Sequence, residues 1–240
     1  MKRLLFVVVV LAFAAGCGGD DDANERVRVY WMLNGKVWPT AREVERGHRA
    51  PNVEVQALLE LFARPNVQEK GLELTTAIPK ETELESIGLV FSSAYPEFSG
   101  EMPPEALAQV VYTLTQFPSV KSVEIGDHFY TRTDFEDFTP AILVESPLPF
   151  EEVSSPLRVT GTANTFEATF SYELTDTDGL IVDENFVTAT SGTGTRGTFD
   201  FTTKPFTVPF DGVGSLIVYE HSAKDGSRIH VVEIPLRMTR

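Results

Sequence analysis

The sequence predicts an α+β domain followed by an all-β sandwich. Before residue 138, two segments with apolar residues at helical spacing lie among short apolar runs. After residue 142 no segment has helical periodicity, and short alternating runs follow one another between turn residues. A chain of 240 residues is long enough for two ordinary domains. We therefore expect an α+β domain at residues 27–138 and a β-sandwich at residues 142–240.

The first residues have the pattern of an export signal. Two basic residues precede an uninterrupted apolar run from Leu4 to Ala15, and small residues lead to the single cysteine, Cys17. The run is shorter than the roughly 20 residues of a spanning helix. The pattern resembles a bacterial lipoprotein signal, which implies that residues 1–16 are removed and that Cys17 is lipidated. A buried or free thiol, or an ordinary signal cleaved nearby, is the alternative.

This resemblance also implies a location and a first partner. The lipid at Cys17 would hold the protein in the membrane, at the outer face of the cytoplasmic membrane. Residues 17–26 are short and polar and are expected to form a solvated tether. The formal charge of −15 argues against nucleic acid as a partner, because no stripe of Lys and Arg is visible. An acidic surface suits solubility or a cationic partner.

The predicted elements of the first domain have the order β-α-β-β-α-β. Val27–Leu33 alternates as a half-buried strand does, and the segment after the Asn34-Gly35 turn is expected to be an irregular excursion or a short edge strand, because it carries Pro39. Apolar spacing predicts one helix from Asn52 to Pro65 and another from Pro103 to Pro118. The other predicted strands are Leu72–Ile78, Ile87–Phe91 and Val120–Ile125.

Three stretches of this domain carry a resemblance to a known family. They read LELTTAIP from Leu72, IGLVFSS from Ile87 and LAQVVYTLTQFPSVKSVEI from Leu107. The domain resembles the GerM-type domain of sporulation and spore-germination proteins. The resemblance implies an envelope location and a role in interaction or assembly, and it supplies no catalytic residues.

The second domain is expected to be an immunoglobulin-like sandwich, because seven short strands occur within about 100 residues. The longest alternation places Phe166, Phe170 and Leu174 on a core face and Glu167 and Glu173 on a wet face. The seven predicted strands are Ile142–Glu145, Leu157–Ala163, Phe166–Leu174, Leu180–Ala189, Thr198–Thr203, Ser215–His221 and Arg228–Leu236.

This domain also resembles a known family. The resemblance is carried by SSPLRVTGTANTFEATFSYEL from Ser154, DTDG from Asp176, GTFDF from Gly197 and IVYEHSAKDGS from Ile217. It is similar to the immunoglobulin-like domain that accompanies GerM-type domains in bacterial spore-germination proteins.

No cofactor or metal site is expected from the residue patterns. A calcium loop would need further ligands at alternate positions, so Asp176, Asp178, Asp183 and Glu184 are interpreted as turn and strand residues. The histidines are too scattered for a metal site, and His230 is in phase with the apolar residues of its strand. The four histidines are His48, His128, His221 and His230.

Three further features of the sequence are candidate catalytic or binding sites. Acidic residues cluster near the domain junction and could form an acid-base pair, although a solvated linker is the plainer interpretation. The glycines of Ser191–Gly197 open no helix and are interpreted as a flexible hairpin loop. Tyr30 and Trp31 are expected in the core, whereas Trp38 is the better candidate for exposure. The junction residues are Asp127, His128, Asp134, Glu136 and Asp137.

Together these patterns predict a non-catalytic envelope lipoprotein that binds another envelope protein or polymer. A cell-wall hydrolase acting around Asp127, His128 and Asp134 is the first alternative. A solute-binding lipoprotein with a deep pocket between the domains is the second.

Overall fold

A computed structural model describes residues 24–45 and 51–240. The predicted signal, Cys17, most of the tether and His48 lie outside the described residues. The described chain forms two compact units that divide between Thr139 and Pro140. Among the described helices, none is long and apolar enough to cross a membrane.

The first unit has six strands and three α-helices, followed by 3₁₀ turns at Arg132–Phe138. In chain order the elements are β1 (Glu25–Leu33), β2 (Lys36–Val44), α1 (Val53–Phe62), α2 (Val67–Gly71), β3 (Leu84–Val90), β4 (Ser93–Phe98), α3 (Pro104–Leu114), β5 (Ser122–Ile125) and β6 (His128–Tyr130). The predicted order survives in β1, α1, β3, β4, α3 and β5, and the class of α+β domain is confirmed.

Strands β1 and β2 form a hairpin, so of the two alternatives for the segment after residue 35 the edge strand is confirmed and the irregular excursion is wrong. Asn34 and Gly35 both have positive φ, 51° and 74°, as a two-residue hairpin turn of matching twist requires. All nine residues of β2 pair with β1, and Pro39 faces Tyr30. A proline is tolerated there because the sheet has only these two strands, so β2 is an edge.

Helix α3 and the turn that follows it cover the other edge of β1 with polar side chains. Gln116 accepts from the Arg28 N–H (2.7 Å) and donates to the Arg28 carbonyl (2.6 Å). Thr113 accepts from the Tyr30 N–H (3.2 Å), and Gln109 donates to the Tyr30 carbonyl (2.9 Å). Because residues three and four apart share one helical face, the helix satisfies backbone groups that would otherwise be buried without partners.

The predicted strand Leu72–Ile78 is wrong. Only Thr75 pairs in this segment, with Met32, through two backbone hydrogen bonds of 2.9 Å each. The Ala77 N–H is taken by the Gln109 side chain at 2.8 Å, so a side chain replaces the strand partner there. The second strand of the predicted pair is instead β4, which was expected to be a loop.

The second sheet of the first unit has the order β3-β4-β5-β6. Strands β4 and β5 run parallel but pair at only two positions, Ser93 with Ser122 and Ala94 with Val123. The inward residues Ile87, Ala94 and Val123 are almost fully buried. This sheet therefore packs one apolar face into the unit, and β4 and β5 diverge beyond the paired positions.

The second unit is an all-β sandwich, as predicted. One sheet has the order β11-β10-β13-β14-β8 and the other the order β12-β9-β7. Its strands are β7 (Ile142–Ser146), β8 (Glu152–Val153), β9 (Arg158–Ala163), β10 (Thr169–Thr175), β11 (Ile181–Thr188), β12 (Gly197–Thr202), β13 (Gly212–His221) and β14 (Arg228–Met238).

The core of the sandwich lies between these sheets, with Val159, Leu174, Leu216 and Leu236 almost fully buried. Strand β9 needs glycine at Gly161, because a Cβ there would lie 2.1 Å from the Leu143 carbonyl oxygen. The close approach of β7 and β9 therefore depends on the missing side chain.

The predicted strand Phe166–Leu174 is only partly correct. Residues Phe166–Ala168 form a 3₁₀ turn, and the strand begins at Thr169. Phe170 and Leu174 are buried as expected, whereas Phe166 is 53% exposed. Glu173, expected on the wet face, is only 6% exposed because side chains from neighbouring strands cover it.

Candidate functional site

The acidic residues near the junction do not form an acid-base pair within the first unit. Asp134 caps the turn that follows β6: its Oδ2 accepts from the Thr131 N–H (2.7 Å) and hydroxyl (3.0 Å). His128 is exposed and its ring faces Tyr130, with ring centroids 6.1 Å apart. The Asp137 carbonyl oxygen, not its carboxylate, accepts from Lys36 Nζ at 2.7 Å. Asp134 and His128 thus serve separate local contacts.

The aspartates considered as a calcium loop are engaged in separate structural tasks. Asp176 Oδ1 accepts from the N–H groups of Asp178 and Leu180, at 2.9 Å each, and thereby closes the turn between β10 and β11. Asp183 is buried and accepts from the Tyr172 hydroxyl (2.6 Å) and the Lys204 N–H (3.0 Å). Burial by itself raises the pKa of Asp183, and these hydrogen bonds outweigh it and lower the pKa.

The histidines of the described chain make separate contacts. His221 packs edge-on against Tyr219, with ring centroids 5.1 Å apart. His230 is not in phase with its strand, which corrects the sequence interpretation: the β13–β14 register shifts between Val218 and Glu220, and His230 is exposed with φ of 53°. Within residues 24–45 and 51–240, no group of three or more His, Cys, Asp or Glu side chains is arranged to hold a metal ion.

The loop Ser191–Gly197 is not a hairpin loop. It connects β11 of one sheet to β12 of the other. The loop is fastened to the segment just after β9, because the Thr193 N–H donates to the Thr165 carbonyl and the Gly194 N–H to the Asn164 side chain, each at 2.9 Å. Gly192 permits this close approach of two backbone segments, because a Cβ there would lie 2.5 Å from backbone atoms of Thr165 and Ala168.

The aromatic residues of the β1–β2 hairpin are core residues. Tyr30 and Trp31 are fully buried, as expected, but Trp38 is only half-buried and is therefore not the exposed surface aromatic that its position next to Pro39 suggested. Its indole N–H is buried and has no hydrogen-bond partner in the described chain.

Beneath Trp31 lies a buried carboxylate, Glu69, which is 3% exposed. Its Oε1 accepts from Trp31 Nε1 (2.8 Å) and the Thr40 hydroxyl (2.6 Å). Its Oε2 accepts from Arg42 Nη2 (2.6 Å) and the Asn66 N–H (2.7 Å). Burial raises the pKa of Glu69, and the hydrogen bonds from Arg42 and Thr40 outweigh burial, so that the pKa falls below its ordinary value of 4.5. This satisfied cluster is structural.

A second charged cluster lies on the outer face of the larger sandwich sheet. Arg228 binds both carboxylate oxygens of Glu173 and lies over the Tyr219 ring, 4.2 Å from its centroid. The Tyr219 hydroxyl donates to Glu173 at 3.1 Å. Burial and this hydrogen bond raise the pKa of Tyr219. These contacts explain why Glu173 is buried on a face that its alternation predicts to be wet.

Beside this cluster lies a small open pocket, here called the corner pocket, where β10 begins and β13 ends. Its volume is about 230 Å³. Phe186 of β11 and Ser171 of β10 face each other across the strands, so the short serine leaves space next to the phenylalanine ring. The lining residues that matter here are Phe166, Phe170, Ser171, Phe186, Glu220 and His221.

The backbone around the corner pocket is held in an unusual conformation. Glu167, Ala168 and His230 have φ of 54°, 58° and 53°, values that non-glycine residues seldom adopt. The turn that contains the first two is fastened by bonds from the Glu167 N–H to the Thr193 hydroxyl (3.0 Å) and from the Ala189 N–H to the Ala168 carbonyl (2.8 Å). This turn directs Phe166 out of the core.

A groove in the first unit, of about 510 Å³, opens where β4 and β5 diverge. Its walls include Tyr95, Phe98 and Glu124, and Leu107 of α3 contributes to its lining. The Glu97 carboxylate in this groove accepts from the Ser86 hydroxyl at 2.8 Å. The groove is wider than the corner pocket and has no deeply buried charged group.

The fold and these surfaces define a class: a two-unit protein with an α+β domain and an immunoglobulin-like sandwich. Residues 28–126 match the family described as sporulation and spore germination, and residues 141–227 match the family described as the immunoglobulin-like domain of bacterial spore germination. The chain therefore carries a GerM-type domain followed by the immunoglobulin-like domain that the sequence resembles. Neither family description names a catalytic activity.

Other comparisons add little. No curated protein matches the sequence. A solved structure of the tandem GerMN domains of the sporulation protein GerM from Bacillus subtilis is similar at 20% identity, over 46% of this chain and 41% of that chain, with a TM-score of 0.34. The match spans less than half of that structure's chain.

Sequence reasoning missed the residues of the corner pocket as a group. The sequence predicts that Phe166 and Phe186 lie in strands, and it gives no signal for a special role of Glu220. The one available signal is Phe186, an apolar residue on β11 that falls out of phase with its buried neighbour Val187 and therefore on the outward face of the strand. Neither Glu220 nor the 3₁₀ turn has a local signature, because both depend on segments far apart in the chain.

Proposed function

We propose that the chain is a non-catalytic envelope lipoprotein that binds or scaffolds another component of the cell envelope. The observation that carries the proposal is the pairing of two domains, each matching a family associated with sporulation and germination, in one chain. Immunoglobulin-like sandwiches commonly serve as binding modules, although function must be argued from sites and not from a fold alone.

The arrangement of polar groups supports binding over catalysis. The carboxylates of Asp134, Asp176 and Asp183 are occupied by hydrogen bonds that shape turns and strands. A general acid or base must reach a substrate proton, and groups fastened in this way are poorly placed to do so. The exposed apolar surfaces around Phe166 and Phe186 are instead suited to contact with a partner.

The first alternative, a cell-wall hydrolase around Asp127, His128 and Asp134, would depend on His128. The test is a cell-wall turnover assay with purified protein and its His128→Ala variant. We expect no release of wall fragments by either protein. Release by the wild type that is lost in His128→Ala would establish the enzyme and overturn the proposal.

Location follows from the lipidation proposed at Cys17. The motivating pattern is the apolar run that ends in small residues before the single cysteine. One acyl chain binds a membrane only weakly, so a stable anchor needs the several chains that lipoproteins carry. Metabolic labelling with a fatty-acid precursor should tag the wild type and not Cys17→Ala. Equal labelling of both proteins would refute the anchor.

A further inference from the structure

We propose that the corner pocket binds one cationic side chain, a lysine or an arginine, presented by a partner protein. This inference rests on the proposed binding function and names the chemistry of the partner. It stands on three features: the carboxylate of Glu220, two exposed phenylalanine rings and the negative charge of the second unit.

The carboxylate of Glu220 is the centre of the pocket. Glu220 is 8% exposed and its Oε1 accepts from the Phe166 N–H at 2.8 Å. Its Oε2 lies 3.8 Å from His230 Nε2, beyond hydrogen-bond distance. This second oxygen is not sealed from solvent, so a cationic donor that enters the pocket can form a charge-assisted hydrogen bond with it.

Two phenylalanine rings stand beside this carboxylate. Phe166 is 53% exposed and Phe186 is 70% exposed, although apolar rings of this size are stabilised by burial. Ammonium and guanidinium groups are attracted to aromatic faces, and the aliphatic stem of lysine or arginine covers apolar surface at the same time. One cationic side chain can therefore cover the two rings and bind the carboxylate at the same time.

The second unit as a whole is acidic. The residues from Pro140 to Arg240 include fourteen Asp and Glu against seven Lys and Arg, a formal charge of −7. Arg228, which lies over the Tyr219 ring next to His221, is bound by Glu173 and so does not fill the pocket itself. The acidic surface also steers a cationic partner towards the unit.

The size of the pocket fits one side chain. Pockets for drug-sized ligands have volumes of roughly 300 to 1,000 Å³. The corner pocket, at about 230 Å³, is smaller than these and open to solvent at its mouth. A partner protein that inserts a single long side chain matches this shape better than a whole sugar or nucleotide does.

The test is an NMR titration of the full-length protein with N-acetyl-lysine methylamide and N-acetyl-arginine methylamide. The neutral N-acetyl-Nε-acetyl-lysine methylamide is the matched control ligand. We expect saturable shifts of the signals of Phe166, Phe186 and Glu220 with a cationic ligand, with a Kd on the order of millimolar for so small a probe. The acetylated ligand should produce none.

Variants make the assignment specific. Glu220→Gln keeps the acceptor for the Phe166 N–H and removes the charge, so cation affinity should fall roughly tenfold. Phe186→Ala should weaken binding roughly threefold, because one cation–π contact is lost. Phe210→Ala removes a ring that is 49% exposed elsewhere on the sandwich, and should leave the affinity unchanged.

Three results of the titration would overturn the inference. They are equal shifts with the neutral ligand, unchanged cation affinity in both Glu220→Gln and Phe186→Ala, or no saturable shift with either cation at concentrations up to roughly 50 mM. Because the proposed function is tested by capture of an envelope partner, the two can fail separately. If Glu220→Gln still captured the partner at the wild-type level, the proposed role of the corner pocket would be refuted and the proposed binding function would remain.

Discussion

Glu69 shows at the scale of one residue how this chain uses a buried charge. Five donors from four other residues point at its two oxygens, and Arg42 also binds Glu60 at 2.9 Å. Removing one member of a buried ion pair typically costs about 3 kcal/mol or more, because the partner is left uncompensated. Glu69→Gln should therefore lower the melting temperature of the first unit clearly, measured by circular dichroism.

The sign of the pH dependence of Glu69 follows from its lowered pKa. The folded-state pKa lies below the ordinary value of 4.5, so the carboxylate stabilises the fold fully above that pH. This contribution is lost as the pH falls through the folded-state pKa. The difference in melting temperature between wild type and Glu69→Gln should be largest near pH 7 and shrink below about pH 4. The exposed Glu81→Gln serves as control, and a difference that grows on acidification would contradict this account.

Asp176 distinguishes a turn residue from a calcium ligand. Its side chain accepts two backbone hydrogen bonds, and the loss of a comparable cap costs about 1 kcal/mol. Asp176→Ala should therefore lower the melting temperature, whereas Asp176→Asn, which keeps the accepting oxygen, should stay close to wild type. Added calcium should change none of the three. A rise in wild-type melting temperature with calcium that both variants lose would establish a calcium site instead.

The residue scale also shows what local sequence can and cannot predict. The Asp176 turn was predicted because Asp-Thr-Asp-Gly encodes a turn within four residues. The environments of Glu69 and Glu220 could not be predicted, because their partners come from other strands and helices. Glu173 was misread for the same reason: Arg228 and Tyr219, which cover it, are more than 40 residues away.

At the scale of elements, helix α3 replaces a missing strand. Gln109 and Thr113 on one side of the helix, and Gln116 in the turn that follows it, bind the backbone of β1. The apolar stripe of this helix was predicted from its spacing, but the polar stripe was not, since the open edge of β1 is visible only in the fold. Gln109 also binds the Ala77 N–H, which explains why Leu72–Ile78 is held beside β1 without forming a strand.

Gln109→Leu tests this role of α3. Gln109 is fully buried, and the substitution removes the side-chain partner of both the Tyr30 carbonyl and the Ala77 N–H. Buried backbone groups left without partners cost about 1 to 3 kcal/mol each, so a loss of about 3 kcal/mol is expected in urea unfolding. Glu105→Gln, in the first turn of the same helix, is the control. Gln109→Leu with wild-type stability would show that the edge of β1 needs no such cover.

Element boundaries were predicted best where one rule governed the local chain. Both long helices follow their apolar spacing and the flanking prolines, and most sandwich strands follow alternation. Strand β2 was predicted only as one of two alternatives, because Pro39 argues against a strand unless the sheet is known to end there. The first residues of the predicted strand Phe166–Leu174 were wrong because Phe166 turns outward at the corner pocket, where the backbone departs from extended geometry.

At the scale of the whole molecule, two domains with separate cores share one chain. The sequence resemblances predicted both, and the family matches at residues 28–126 and 141–227 confirm them. The sequence of either core does not identify the partner that we propose, because the residues of a binding surface do not follow the periodic patterns of strands and helices. The corner pocket was accordingly visible only once the sheet placed Phe186 beside Ser171.

The central claim is that the chain binds an envelope component from the membrane surface. Its most direct test is chemical crosslinking of intact cells, followed by pull-down of the full-length protein and of Cys17→Ala under the same conditions. We predict a discrete crosslinked complex with one envelope component for the wild type and its loss in Cys17→Ala. Recovery of the wild-type protein without any crosslinked component, or an equal complex in both proteins, would contradict the claim.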